Sequence, residues 1–365
     1  MIMDQKIGIV IDEDFAVKNY PPYQHPIFLS YENPLRIKLI LEYFEKVNLW
    51  EDKRIIRLEP KLIEEGLLKL AHSKYYIDTV KRLSKFGSGI LGEEVFITND
   101  TFSLAKKAVG GAIEAIEKVI KKEVTQSIAL IRPPGHHALR EKGSGLCIFN
   151  NIANAIFYLR KNVQYDKKIA IVDIDDHFGD GLVQYFYDDP DVLYFSIHEF
   201  DFIENDIGFI NELGDGQGIG KSINFPVPAG ITDNDFLVFL DILEPILKEY
   251  EPDLIIVAMG FDMYFDDPIG NCLLTSISYN KFAEKILTMA EEVCEGKLAF
   301  ILEGGYSLIG LPFCVQAVLS SLLKKKYEQP LFEKINFSSE SKMEEVQQIK
   351  SKLEKLLRNY WNTLK

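Results

Sequence analysis

Cysteine is scarce in this chain of 365 residues, and the four present (Cys147, Cys272, Cys294, Cys314) follow no C-x-x-C spacing. Their pattern therefore offers neither a disulfide framework nor a thiolate zinc site. No apolar run reaches the ~18 residues of a membrane span. Positive charge is also short: 41 Lys and Arg against 55 Asp and Glu leave a net charge of −14. A nucleic-acid or anionic-membrane surface needs a basic patch, so both partners are excluded, and a cationic or neutral small substrate is favoured. There is no low-complexity tract, internal repeat or Pro/Gly/Ser-rich linker. The expectation is one domain over 1–365, with a core over about 5–325 and an amphipathic helix over 339–365. "MIMDQKIGIVIDEDF" has no basic segment ahead of a long apolar one, so the expected compartment is cytoplasmic.

Short β-branched runs alternate with helical stretches through the chain. "KIGIVI" (6–11), "SIALI" (127–131), "IAIVDI" (169–174), "VLYFSI" (192–197), "LIIVAM" (254–259) and "LAFIL" (298–302) have strand length and are continuously apolar. "NPLRIKLILEYFEKV", "KLIEEGLLKLA", "YYIDTVKRL", "SLAKKAVGGAIEAIEKVIKK", "NIANAIFYLRK", "FLVFLDILEPILKEY" and "YNKFAEKILTMAEEV" read as helices. Strands buried on both faces with helices between them predict an α/β fold, a mostly parallel central sheet flanked by helices. The C-terminal helix suits packing on the body or on a second copy, which leaves a homo-oligomer open.

In such a sheet, ligands bind beyond the carboxyl ends of the strands. After "SIALI" comes "RPPGHHA", with His136 and His137; after "IAIV" comes "DIDDHFGDG". After "LIIVAM" comes "GFDMYFDDP", and after "LAFIL" comes "EGGY", ending at Tyr306. Three of only six histidines fall at these ends. Four carboxylates within residues 173–181 are costly unless a cation or protons neutralise them. Strand alternation would set Asp173, Asp175 and His177 on one face. Asp175 and His177 can then hold one ion with Asp262 from a neighbouring strand end. Two carboxylates and one imidazole with a vacancy describe a catalytic metal site; zinc fits, and Fe(II) or Co(II) can substitute.

Each piece alone has a plainer reading. An Asp-x-Asp at a strand end is usually a solvated turn, paired histidines often brace loops, and Asp266 and Asp267 before Pro268 suit a turn. Tyr306 after two glycines could be packing. The ordered set is what favours a metal hydrolase. "GDGQGIGKS" (214–222) imitates a phosphate loop, but Asp215 stands where a glycine is required and strand-like "SINFPV" follows where a helix should open.

"RPPGHHA", "GLCIFNN", "DIDDHFGDG", "GFDMYFDDP" and "LEGGY" resemble, in order, the motifs of the histone deacetylase and acetylpolyamine amidohydrolase superfamily; "YENPLR" and "HSKYYI" resemble its N-terminal segments. The resemblance implies the arginase/deacetylase fold and zinc-dependent hydrolysis of an acyl amide by metal-activated water. It makes Asp175, His177 and Asp262 the metal ligands. His137 becomes the general base and acid with Asp180 behind it, and His136, partnered by Asp173, an electrostatic group. Tyr306 becomes the donor to the substrate oxygen. Gly145 and Leu146 would border the substrate channel, and Asp173 with Ser196 would line a K+ or Na+ site.

Two residues depart from the pattern. Phe178 stands where the family has a second histidine, and Leu146 where an aromatic is common. The substrates implied are a small cationic acylated amine, such as an acetylated polyamine, or acetyl-lysine. "GFDMYFDDPIGNCLLTS" and the negative charge favour the small amine, with a loop around 18–31 narrowing the mouth. Two alternatives remain: a two-manganese ureohydrolase of the same fold, whose Asp-x-His-x-Asp order is absent, and a non-catalytic binder of acylated ligands.

Overall fold

The structure, a computed structural model, describes residues 5–21, 30–91, 95–201, 205–334 and 341–365. Residues 22–29 of the 18–31 loop expected to narrow the channel mouth lie outside them. The chain divides into two compact units. One comprises Met1–Asp166, Gly179–Tyr185 and Ala299–Leu308; the other comprises Lys167–Phe178, Phe186–Leu298 and Ile309–Lys365.

In the first unit the strands β1 (Ile7–Val10), β2 (Ile55–Leu58) and β5 (Gln126–Ala129) pair in parallel around β1. A small antiparallel hairpin, β3 (Ser88–Leu91) and β4 (Val95–Thr98), stands apart from them. In the second unit β6 (Ile169–Asp173) lies between β7 (Val192–Glu199) and β9 (Leu254–Met259), and β8 (Ser222–Val227) pairs with β7, all parallel. β10 (Leu298–Leu302) starts at the last residue of that stretch of the second unit and continues into the first. Residues of β6, β8 and β9 are buried throughout, as expected of strands covered on both faces.

Helices Thr101–Ile120 and Ser276–Cys294 are the longest, and each buries an apolar stripe in its own unit. The C-terminal helix runs over Met343–Leu357; Val346, Leu353 and Leu357 are buried, and Trp361 donates through Nε1 to the Gly220 carbonyl at 3.0 Å. Its apolar face is thus used up within its own unit.

One helix expectation changes, three short strands are additional, and the glycine-rich loop is as expected. "KLIEEGLLKLA" forms only a 3-10 turn over Glu65–Leu70, since Gly66 weakens a helix and the segment between Pro60 and Glu64 stays extended. β2 and β3, short and partly exposed, lack a strong apolar signal, whereas β4 is apolar and buried but only four residues long. The glycine-rich 214–222 stretch is a loop closed by the Gly216–Gly218 turn and runs directly into β8.

Candidate functional site

Two groups of side chains stand at carboxyl ends of strands, one in each unit. In the second unit β6 ends at Asp173, so strand alternation does not carry through to His177. Residues 175–177 bend instead, and the His177 amide donates to Asp175 Oδ1 at 3.0 Å. The bend still brings Asp175 and His177 together, and Asp262, three residues past β9, completes the set. One ligand atom of each lies within 4.8 Å of the other two. His177 Nδ1 is 3.3 Å from Asp175 Oδ1 and 3.2 Å from Asp262 Oδ2. A tetrahedron of donors ~2.0 Å from zinc has edges of ~3.3 Å, so the donor set fits a zinc-sized ion.

Both carboxylates are buried. Burial, and then the charge of Asp175, push the Asp262 carboxyl up to about 7. Burial opposes charge on His177, but its two carboxylate neighbours outweigh burial and hold the imidazolium well above its ordinary value. In the absence of an ion, this group therefore retains protons that a metal would displace. Gly260 makes room for the approach: a Cβ there would lie 2.4 Å from Asp175 Cα.

Asp173 accepts from the Tyr194 hydroxyl at 3.0 Å and from the Asp175 amide at 3.2 Å, and it stands in register with Ser196 on β7. Ser196 Oγ lies 2.9 Å from His198 Nδ1, whose Nε2 faces the Gly208 carbonyl at 3.0 Å. The carbonyl fixes the proton on Nε2, so the serine hydroxyl donates to Nδ1. Burial holds His198 down to about 4, hence neutral. Phe178 packs its ring 5.0 Å from that of His198. Asp267 accepts from the Ile269 amide at 3.1 Å, as a turn former does.

The first unit carries His136, His137, Asp180 and Tyr306. The His137 and His136 rings lie 4.1 Å apart, and His137 Nδ1 meets Asp180 Oδ1 at 2.7 Å. A carboxylate there holds the proton on Nδ1 and makes Nε2 the basic nitrogen. Gly145 and Leu146 occupy a tight turn, with φ of 49° and 66°, closed by Cys147 N to Ser144 O at 2.7 Å. A Cβ at 145 would lie 2.3 Å from His137 Cδ2, so only glycine lets the imidazole lie against this turn. Leu146 holds a left-handed conformation, which costs an L-residue roughly 1–2 kcal/mol.

Sequence reasoning missed the residues that hold this half in place. Glu303 Oε2 accepts from the amides of Gly135 (2.6 Å) and His136 (3.1 Å). Arg36, fully buried, donates to the carbonyls of Glu303 (2.6 Å) and Gly305 (2.8 Å), and its guanidinium lies 4.6 Å above the centre of the Tyr306 ring. Glu32 pairs bidentately with buried Arg132 at 2.7 and 2.8 Å and sits 3.7 Å from Arg36. A signal for Arg36 was present: it shares the i, i+4 stripe of Ile40 and Phe44, a charge on an apolar helical face.

A histone deacetylase domain model matches residues 30–322. The chain belongs to the histone deacetylase family. A protein of Archaeoglobus fulgidus named a probable deacetylase is 36% identical over 318 residues, 86% of each chain. Histone deacetylase 18 of Arabidopsis thaliana is 33% identical over 99% of this chain, and the polyamine deacetylase HDAC10 of Danio rerio 34% over 82%. The chain spans about half the length of those two relatives. The crystal structure of the HDA15 HD domain matches with a TM-score of 0.85 and 25% identity, covering 99% of this chain and 96% of that one. The family's α/β fold, a parallel sheet flanked by helices, is therefore the fold of this chain, and its enzyme class is a deacetylase, a hydrolase of linear amide bonds. The ureohydrolase and non-catalytic readings gain no support. No helix among the described residues is long and apolar enough to cross a membrane.

Proposed function

We propose that the chain is a metal-dependent amidohydrolase that removes an acetyl group from a small cationic amine such as an acetylated polyamine, with acetyl-lysine as the second substrate class. The observation that carries the metal is the Asp175, His177 and Asp262 donor set, with spacings close to the edges of a zinc tetrahedron. Zinc, or Fe(II) or Co(II) in its place, lowers the pKa of water to ~7 and polarises the amide carbonyl.

His137 takes a proton from water through Nε2 and returns it to the leaving amine, while Asp180 holds Nδ1–H and stabilises the imidazolium. His136, with Asp173 as its proposed partner, supplies positive potential beside it. Tyr306 donates from its hydroxyl to the oxygen on which charge develops, and Arg36 holds its ring. Gly145 and Leu146 border the acyl channel. Asp173 and Ser196 are proposed for a K+ or Na+ ion. Family membership over 30–322 supports assigning both groups to one reaction and the chain to one catalytic domain. The four buried cysteines, none in a disulfide among the described residues, suit a reducing cytoplasm.

The net charge of −14 supports the cationic amine, because opposite charge raises local substrate concentration. The Danio rerio relative is named for polyamines, whereas others are named for histones. The test compares kcat/KM for an acetylated diamine, an acetyl-lysine peptide and a neutral acyl amine. The diamine is expected to lead, and its advantage over the neutral amine to shrink at high salt. A clear preference for the peptide would overturn the substrate while leaving the hydrolase in place.

A further inference from the structure

Beyond the Asp175, His177 and Asp262 set, a second group of metal-ligand type lies wholly within the second unit. Asp176 follows β6, Glu199 is the last residue of β7, and Cys272 lies on the segment between Asp262 and the helix Ser276–Cys294. Asp176 and Cys272 are 3% and 2% exposed, and Glu199 is half-buried. One donor atom of each lies within 4.8 Å of the other two.

The spacings suit a tetrahedral ion. Cys272 Sγ is 3.3 Å from Asp176 Oδ1 and 3.9 Å from Glu199 Oε2. With Zn–S ~2.3 Å and Zn–O ~2.0 Å, a sulfur–oxygen edge is ~3.5 Å, between those two values. Glu199 is already oriented from behind: Asn271 donates to it through its side-chain amide (3.0 Å) and its backbone amide (3.3 Å), as outer partners of a ligating carboxylate do.

A separate observation concerns Asp176. Its carboxylate is more than nine-tenths buried, yet among the described residues it receives no hydrogen bond except from the Cys272 thiol, a weak donor. Neither Asp176 nor Glu199 has a lysine or arginine within ion-pair distance among the described residues. A buried carboxylate is ordinarily paired or well hydrogen-bonded, and this one is neither.

We propose that Asp176, Glu199 and Cys272 form a second divalent-metal site, one thiolate and two carboxylates, suited to a zinc-class ion. It shares no ligand with the first set and holds together the ends of β6 and β7 and the segment after Asp262. The Asp176 amide donates to Asp262 Oδ1 at 2.9 Å, so an ion here also stiffens a ligand of the first set.

The first set contains no sulfur, which gives the test its readout. Metal-free enzyme loaded with Co(II) should bind two ions per chain and show a thiolate-to-cobalt absorption band in the near ultraviolet. Asp262→Ala should bind one ion and keep the band. Cys272→Ser should lose the band and one ion, and Glu199→Gln, which leaves the thiol in place, should weaken binding of that ion at least tenfold. A single ion per chain with no band, in protein whose Cys272 titrates as a reduced thiol, would overturn the proposal. So would a band that survives Cys272→Ser. None of these readouts depends on deacetylase activity, so failure of the proposed reaction would leave the result intact.

Discussion

Arg36→Lys separates holding Tyr306 in place from merely filling the core. The guanidinium bridges the carbonyls of Glu303 and Gly305, and its carbon lies 4.6 Å over the centre of the Tyr306 ring. A lysine keeps the charge beside Glu32, but its single ammonium cannot span both carbonyls or stack as a plane. One charge-assisted hydrogen bond is worth ~1.5–3 kcal/mol, and the stacked cation ~0.5–2 kcal/mol. Global stability should therefore fall by about 2–5 kcal/mol in denaturant titration, and Glu32 remains paired with Arg132. If the loss loosens the tyrosine hydroxyl, kcat should drop ~10–100-fold, because small misplacements are costly in the transition state. KM should move by less than about threefold, and metal content should not change. The decisive assay is a double-mutant cycle with Tyr306→Phe. An arginine that acts through the hydroxyl should cost little more once the hydroxyl is gone. Fully multiplicative losses in kcat would refute the positioning role and leave Arg36 as core structure.

Asp262→Ala should leave a two-ligand set unable to retain zinc through dialysis, measured as bound zinc and turnover; stoichiometric zinc and full activity would remove Asp262 from the ligand assignment. Tyr306→Phe should lower kcat by ~10²–10³ with metal content unchanged, whereas an unchanged kcat would reduce the tyrosine to packing. His72 donates from Nδ1 to the Leu139 carbonyl and accepts the Asn150 amide at Nε2, and burial holds it down to about 4 against an unfolded value of 6.5. Below pH 6.5 the unfolded chain takes the proton first, so up to about 3 kcal/mol of stability should vanish as pH falls from 6.5 toward 4. Denaturant titrations across that range should show the slope in wild type and a flatter one in His72→Gln; equal slopes would count against the buried neutral histidine.

Much of this was legible because the chemistry lies at strand ends, and strands buried on both faces are conspicuous as apolar runs. His136, Asp175, Asp262 and Tyr306 all follow such runs, and the order of the motifs completed the family reading. What failed was geometry over short distances. The alternation argument placed Asp175 and His177 on one face of a strand that stops at Asp173; the bend delivers the same pairing by another route. The supports were hidden for a different reason. Glu303 and Arg36 act on backbone groups more than 160 residues away in sequence, and nothing in local spacing reports a contact between a side chain and a distant amide or carbonyl. Cys272 was set aside for lacking C-x-x-C spacing, yet Asp176 stands 96 residues and Glu199 73 residues before it.

Buried acids are neutralised in two different ways, and the difference separates support from function. Glu32 lies between Arg36 and Arg132, and Glu303 Oε2 accepts two backbone amides, so the partners of each come from the chain itself. Acids held this way fix a conformation. At the end of β6, Asp175 and Asp262 face the His177 imidazole, and Asp176 faces a thiol. A histidine and a thiol answer negative charge only by holding protons, which a metal can replace. The acids left to protons are the ones gathered at donor-to-donor distances that suit an ion. On that reasoning Asp262→Asn should relieve charge repulsion with Asp175 and stabilise the metal-free chain, while weakening its affinity for zinc. Thermal unfolding with chelator and with excess zinc should rank the two proteins in opposite order. The same order in both conditions would show that these acids are held by the fold and not kept for a metal.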